Sequence, residues 1–232
     1  MKKFLWSLSW KILALLLVIF FVYQAWIAAQ IAWWINHNPS SSAFMDTRLE
    51  LMQNTNPKAK LQHKWVEYKQ ISNHLKRALI AAEDAKFVDH EGFDWEGIQK
   101  AYKKNMARGK IVAGGSTISQ QLAKNLFLST QRTPWRKAEE TIITLMLEVI
   151  MEKRRIFEIY LNTIEWGNGI FGAEAAARHY FQINASKLSF EQSAMLAAMV
   201  PNPRYYDTHR DTPGLFHKTE IIMRTMDYAE IP

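Results

Sequence analysis

Gly114-Gly115-Ser116-Thr117-Ile118-Ser119-Gln120-Gln121-Leu122-Ala123-Lys124-Asn125 reads as a loop that turns into a helix. Two adjacent glycines permit a tight backbone turn. Thr117 and Gln120 stand at capping-box spacing, which starts a helix. Such a helix start presents free N–H groups to an anion. Thr117, Gln121 and Lys124 recur at i, i+4 and i+7 and share one face, while Ile118 and Leu122 turn another toward a core. A hydroxyl, an amide and an ammonium in a row suit a sugar–diphosphate. Taken alone, the same residues equally make a capped surface helix.

Working outward, the helical period dominates and no run alternates for long with the period of a strand. Helices are expected at 71–83, 95–106, 117–126, 135–151, 154–163, 173–181 and 190–200, the last stopped by Pro201 and Pro203. Residues 46–70 read as an amphipathic helix and connector. The expectation is a mainly α domain of many short helices, without internal repeats.

Upstream, no Asp, Glu, Lys or Arg occurs from Ile12 to Met45. A bilayer-spanning helix needs about 20 mostly apolar residues, and 12–34 supplies them. Trp26, Trp33 and Trp34 sit toward the outer end, where amphipathic rings favour the headgroup region. Lys2, Lys3 and Lys11 precede the run, so the positive-inside rule places the N-terminus in the cytoplasm and the rest outside. A cleaved signal peptide starts the same way, but its apolar core is only about 7–15 residues, and the run here is longer. The expected division is 1–11 cytoplasmic, 12–34 membrane helix, 35–70 membrane-proximal connector and 71–232 catalytic domain.

The chain has 232 residues, 48% of them hydrophobic, enough for one domain with a core besides the anchor. A net charge of +7 points to an anionic partner: nucleic acid, a membrane surface or a phosphate-bearing substrate. External topology weakens the nucleic-acid option. The absence of cysteine excludes disulfides and thiolate metal sites. His, Asp and Glu show no metal-ligand spacing, and there is no Walker-type phosphate loop or serine nucleophile elbow.

Three further blocks carry candidate chemistry. Glu83-Asp84, with Phe87, His90 and Gly92 following, ends an apolar helix, where a desolvated carboxyl could rise toward the range of a general base. A lone pair of this kind is otherwise a solvated helix end. Arg136-Lys137-Ala138-Glu139-Glu140 opens the long apolar helix; Arg136 and Glu140 suit an intrahelical ion pair, or charges bordering a cleft. Lys153, Arg154 and Arg155 precede Tyr160 and Asn162, and read as a solvated or membrane-surface patch or as further positive charge for a diphosphate.

Taken in order, the blocks 83–92, 115–125, 136–148, 153–172 and 175–203 resemble the peptidoglycan glycosyltransferase family, the polymerase module shared with bifunctional penicillin-binding proteins. Thr144 stands where that family usually has Ala, and Phe157 replaces a common Leu. With no room for a transpeptidase domain, the monofunctional biosynthetic transglycosylase is the form expected. The resemblance implies a lysozyme-like, two-lobed, mainly α fold behind one transmembrane helix. It implies lipid II as acceptor and a lipid-linked glycan strand as donor. Membrane lipids and other wall-synthesis proteins are the further partners expected.

Glu83 matches the family's catalytic base and Glu140 its second essential carboxylate, acting directly or through a divalent cation such as Mg or Mn. Lys124, Arg136 and Arg155 match positions that hold phosphates, and Thr117, Gln121 and Asn125 line the same site. Asp84, Phe87, His90, Ser116, Gln120, Lys137, Lys153, Tyr160 and Asn162 complete the expected substrate-binding set. A lytic hydrolase and a non-catalytic scaffold are the alternatives. The first would not need the basic groups, and intact Glu83, Lys124 and Glu140 argue against the second.

Overall fold

The structure is a computed structural model that describes residues 2–110, 114–131 and 133–232. Helix α1 (Lys2–Trp33) is followed by α2 (Ala43–Thr55) and a two-residue strand β1 (Gln62–His63). Then come α3 (Asn73–Glu83), α4 (Trp95–Arg108), α5 (Ile118–Phe127), α6 (Pro134–Ile150) and α7 (Lys153–Thr163). Strands β2 (Glu165–Gly167) and β3 (Ile170–Phe171) precede α8 (Ala173–Phe181), α9 (Phe190–Met199), α10 (Pro203–Thr208) and α11 (Pro213–Thr225).

Local chemistry explains most of these bounds. Thr117 and Gln120 form the expected capping box, so Thr117 is the cap of α5 and not its first turn. Ser189 and Gln192 repeat the device at α9. Thr133 caps α6, with Pro134 in the first turn, where its missing N–H has no intrahelical partner to lose. Gly109, at φ +62°, ends α4 in the left-handed conformation.

Two features depart from the expected pattern: α10 and α11 follow the last helix expected, and the chain forms strands. The three short strands form a sheet of order β1-β3-β2, with β1 parallel and β2 antiparallel to β3. It ties the connector at residues 62–63 to the segment after α7.

Around one continuous core, α3, α9 and α11 pack together, and α5 packs on both α6 and α7. Phe87, Phe157, Tyr160, Trp166 and Phe171 are its largest fully buried side chains. The helix α1 is exposed along Ile12–Val22 apart from a partly covered Phe20, an apolar surface suited to lipid. Its C-terminal part differs: Gln24, Ile27 and Ile31, spaced by three and four, are buried as α1 meets α6. Among the described residues it is the one helix long and apolar enough to cross a membrane.

Candidate active site

Glu83 is the last residue of α3, where the helix meets the start of α5. Its Oε2 accepts a 2.7 Å hydrogen bond from Gln121 Nε2, and Gln121 Oε1 accepts one of 3.0 Å from the Tyr160 hydroxyl. Tyr160 is fully buried in α7. Burial first, then the charges of Glu83 and Asp84, push its phenol well above its ordinary range, so it stays a donor and orients the amide. Burial also raises the Glu83 carboxyl, against the Gln121 hydrogen bond and the positive charges of Lys124 and Lys218. A desolvated carboxylate with a fixed orientation is what a general base requires.

Asp84, the neighbouring carboxylate, is engaged differently. Its Oδ2 accepts the Ile118 N–H at 3.0 Å, and its Oδ1 lies 2.9 Å from His90 Nε2. Gly92 N–H donates to His90 Nδ1, which leaves Nε2 as the protonated nitrogen that donates to Asp84. The Thr117 hydroxyl donates to the Gly92 carbonyl at 2.7 Å, and the Gln120 side chain accepts from Thr117 N–H. The start of α5, read from the sequence as open to a substrate anion, is thus filled by the protein's own carboxylate. Asp84, His90, Thr117 and Gln120 form a knot that holds the ends of α3 and α5 together.

The second cluster is on α6. Glu140 is almost fully buried; its Oε2 accepts from Arg136 Nη1 at 2.7 Å and its Oε1 from Lys137 Nζ. Lys124 is on α5, which packs on α6, and it feels the charges of Glu140, Arg136, Lys137 and Glu83. Burial, followed by the two neighbouring cations, lowers its ammonium, while the two carboxylates pull it up. Both carboxylates thus act electrostatically on Lys124. Cations outnumber Glu140 here, and the Arg136 Nε–H is buried with no hydrogen-bond partner. An unmet donor among excess positive charge suits an anionic ligand.

The rest of the expected set scatters. Arg155 does not join Lys124 and Arg136; its guanidinium bonds Trp34 O, His37 O, Asn38 Oδ1 and Glu158. Lys153 pairs with Glu148 at 2.8 Å, and its ammonium lies over the ring of Phe87, which is fully buried core. Asn162 is fully buried and bonds both the N–H and the carbonyl of Val66, a structural tie to the connector. Asn125 is buried one residue beyond Lys124, and Ser116 is exposed at the mouth of α5.

Lys218 on α11 and Glu148 on α6, which accepts from Ser119 and Lys153, were not singled out from the sequence. Neither lies in a local pattern that marks it. The surroundings of Glu140 do not fit a divalent cation as they stand. Both of its oxygens are taken by the protein's own cations, and among the described residues no group of three His, Asp or Glu could hold a metal.

With this geometry in place, the comparisons are specific. The Transglycosylase family model matches residues 49–227, beginning inside α2 and ending in the turn after α11. The chain is 68% identical over 226 residues to a biosynthetic peptidoglycan transglycosylase of Methylobacillus flagellatus, covering 97% of this chain and 99% of the relative. It is 64% identical over 222 residues to the protein of the same name in Chromobacterium violaceum, at 96% and 97% coverage. For that of Laribacter hongkongensis the identity is 62% over 227 residues, at 97% and 100%.

Proposed function

Because the chain belongs to the transglycosylase family, and is thereby a peptidoglycan glycosyltransferase that acts on a lipid-linked glycan, we propose that it polymerises lipid II into β-1,4-linked strands. Glu83 is the base. It takes the proton of the acceptor sugar's 4-hydroxyl as that oxygen bonds to the anomeric carbon of the donor. The bond from that carbon to the diphosphate breaks, undecaprenyl diphosphate leaves with the electron pair, and the configuration inverts from α to β.

The leaving group is already an activated diphosphate, so its departure needs positive charge more than a strong acid. Lys124, Arg136 and Lys137 supply it. Glu140 holds Arg136 and Lys137 in place, and each of them touches it directly. Gln121 and Tyr160 aim the base. The observation that carries the reading is α5, which bonds Glu83 through Gln121 at 2.7 Å, carries Lys124 one turn further on, and packs on α6 with its Arg136–Glu140 pair. Proton acceptor and phosphate-binding charge then border one space.

The apolar N-terminal helix anchors the enzyme where its polyprenyl substrates lie, which raises their effective concentration. We place the catalytic domain on the periplasmic side of the inner membrane. The test is polymerisation of lipid II by Glu83→Gln, which is expected to keep its fold and lose at least about a hundredfold in rate. Turnover near that of the unaltered enzyme would remove Glu83 from the role of base.

A further inference from the structure

We propose that Arg155 is a positioning residue that clamps the outer end of the membrane helix to the catalytic domain and so sets the height of the cleft above the bilayer. The last carbonyls of an α-helix have no intrahelical partner. Beyond Trp33, where α1 ends, the chain must bond elsewhere. Arg155, in the first turn of α7, meets it: Nε donates to the Trp34 carbonyl at 2.8 Å, and Nη2 to the His37 carbonyl at 2.7 Å and to Asn38 Oδ1 at 2.9 Å. Nη1 donates to Glu158 at 2.8 Å, and Glu158 in turn accepts the Tyr68 N–H at 3.0 Å. Four of the five N–H groups of a guanidinium are thereby used in one planar fork. The side chain is largely covered, with 15% of its surface exposed, and lies over the ring of Trp65.

The clamp acts on the site through packing. The Trp34 ring lies against Phe127, the last residue of α5, at 5.3 Å between centroids. Lys124 is one turn earlier on that helix. On α1 itself, Ile27 and Ile31 are buried as the helix meets α6, which carries Glu140. Both helices that bring positive charge to the site are thus braced against the anchor, and Arg155 locks the brace. Sugars held on lipid tails present their reacting atoms at a set height, so a tilting domain would misplace the base by ångströms. A misplacement of 1 Å can cost about a hundredfold in rate.

The activity arm of the test rests on the polymerase reading, and a spectroscopic arm does not. The chain has no native cysteine, so Ala25→Cys on α1 and Lys187→Cys in the domain between α8 and α9, both exposed, accept one spin label each in the full chain. In lipid bilayers the unaltered clamp is expected to give a narrow distribution of label distances. Arg155→Gln should broaden it, and Asn38→Ala, which removes one acceptor on an exposed loop, should broaden it less. Polymerisation in bilayers should fall about tenfold or more for Arg155→Gln and clearly less in detergent micelles, which deform around the anchor. Lys124→Ala should lose activity equally in both.

An unchanged label distribution in both clamp variants overturns the proposal. So does an equal loss of activity in bilayer and micelle. Binding of inorganic pyrophosphate weakened by Arg155→Gln as strongly as by Lys124→Ala would return Arg155 to the phosphates. If the unaltered enzyme does not polymerise lipid II, the polymerase reading fails while the label widths still report on the clamp.

Discussion

Burial holds the Glu83 carboxyl above its ordinary range even though Gln121, Lys124 and Lys218 all favour its charge. The folded chain therefore binds that proton more tightly than the unfolded chain. This contribution to stability is complete below the unfolded value of about 4.3 and is lost as pH rises through the higher folded value. Glu83→Gln is neutral throughout, so its stability relative to the unaltered protein should improve from pH 4 to pH 8. Thermal melts at the two pH values check this, and a variant that loses ground as pH rises would contradict the desolvated base. A buried carboxyl that costs stability in this way is a trade common at functional sites. Lys124 carries the same signature, lowered by burial and by Arg136 and Lys137. At this scale the motif residues were legible, since Glu83, Gln121, Lys124, Arg136 and Glu140 all stand in recognisable blocks. Lys218 was not, because it reaches Glu83 only through the packing of α11 against α3.

The helix α5 shows how one element can be read correctly and its use misread. Its capping box and its polar and apolar faces follow from residues 117–125 alone. What occupies its N-terminus is Asp84, remote in sequence, whose two oxygens meet Ile118 N–H and His90. Asp84→Ala leaves both donors buried without a partner, at about 1–3 kcal/mol each. At about 2–4 °C per kcal/mol for a chain of this size, the melting temperature should fall by several degrees. Activity should fall with it, as Gln121 and Lys124 lose their placement. Calorimetry separates this from a substrate contact, for which the melting temperature would hold and only turnover would drop. The small sheet escaped for a different reason. Strands of two or three residues, such as Gln62–His63 and Ile170–Phe171, are too short to show alternation. Their pairing depends on a contact between distant segments.

Over the whole molecule, α1 is a 32-residue helix, about 48 Å long against a hydrocarbon core of about 30 Å. The stretch apolar enough to cross a bilayer is Trp10–Trp33, and its end from Gln24 onward is also the part that docks on α6. Lys2, Lys3 and Lys11 set the expected orientation, with the N-terminus in the cytoplasm. The full-length protein should fractionate with membranes, and a C-terminal reporter that works only outside the cytoplasm should be active. Activity of a reporter restricted to the cytoplasm would reverse the topology. The anchor, the helices up to α9 and the charged blocks were determined by sequence alone, because each rests on composition or on a period read within about twenty residues; α10 and α11, past the prolines that end α9, were not. The Arg136–Glu140 pair was legible in its i,i+4 spacing, but tertiary structure alone decided which groups from separate segments meet. Arg155 follows Lys153 and Arg154 in one basic run, yet it holds the chain just beyond α1, while α5 brings Lys124 to α6, which carries Glu140. A side chain's charge is written in its identity, but its partner is chosen by the packing of helices far apart in the chain, which no local pattern encodes.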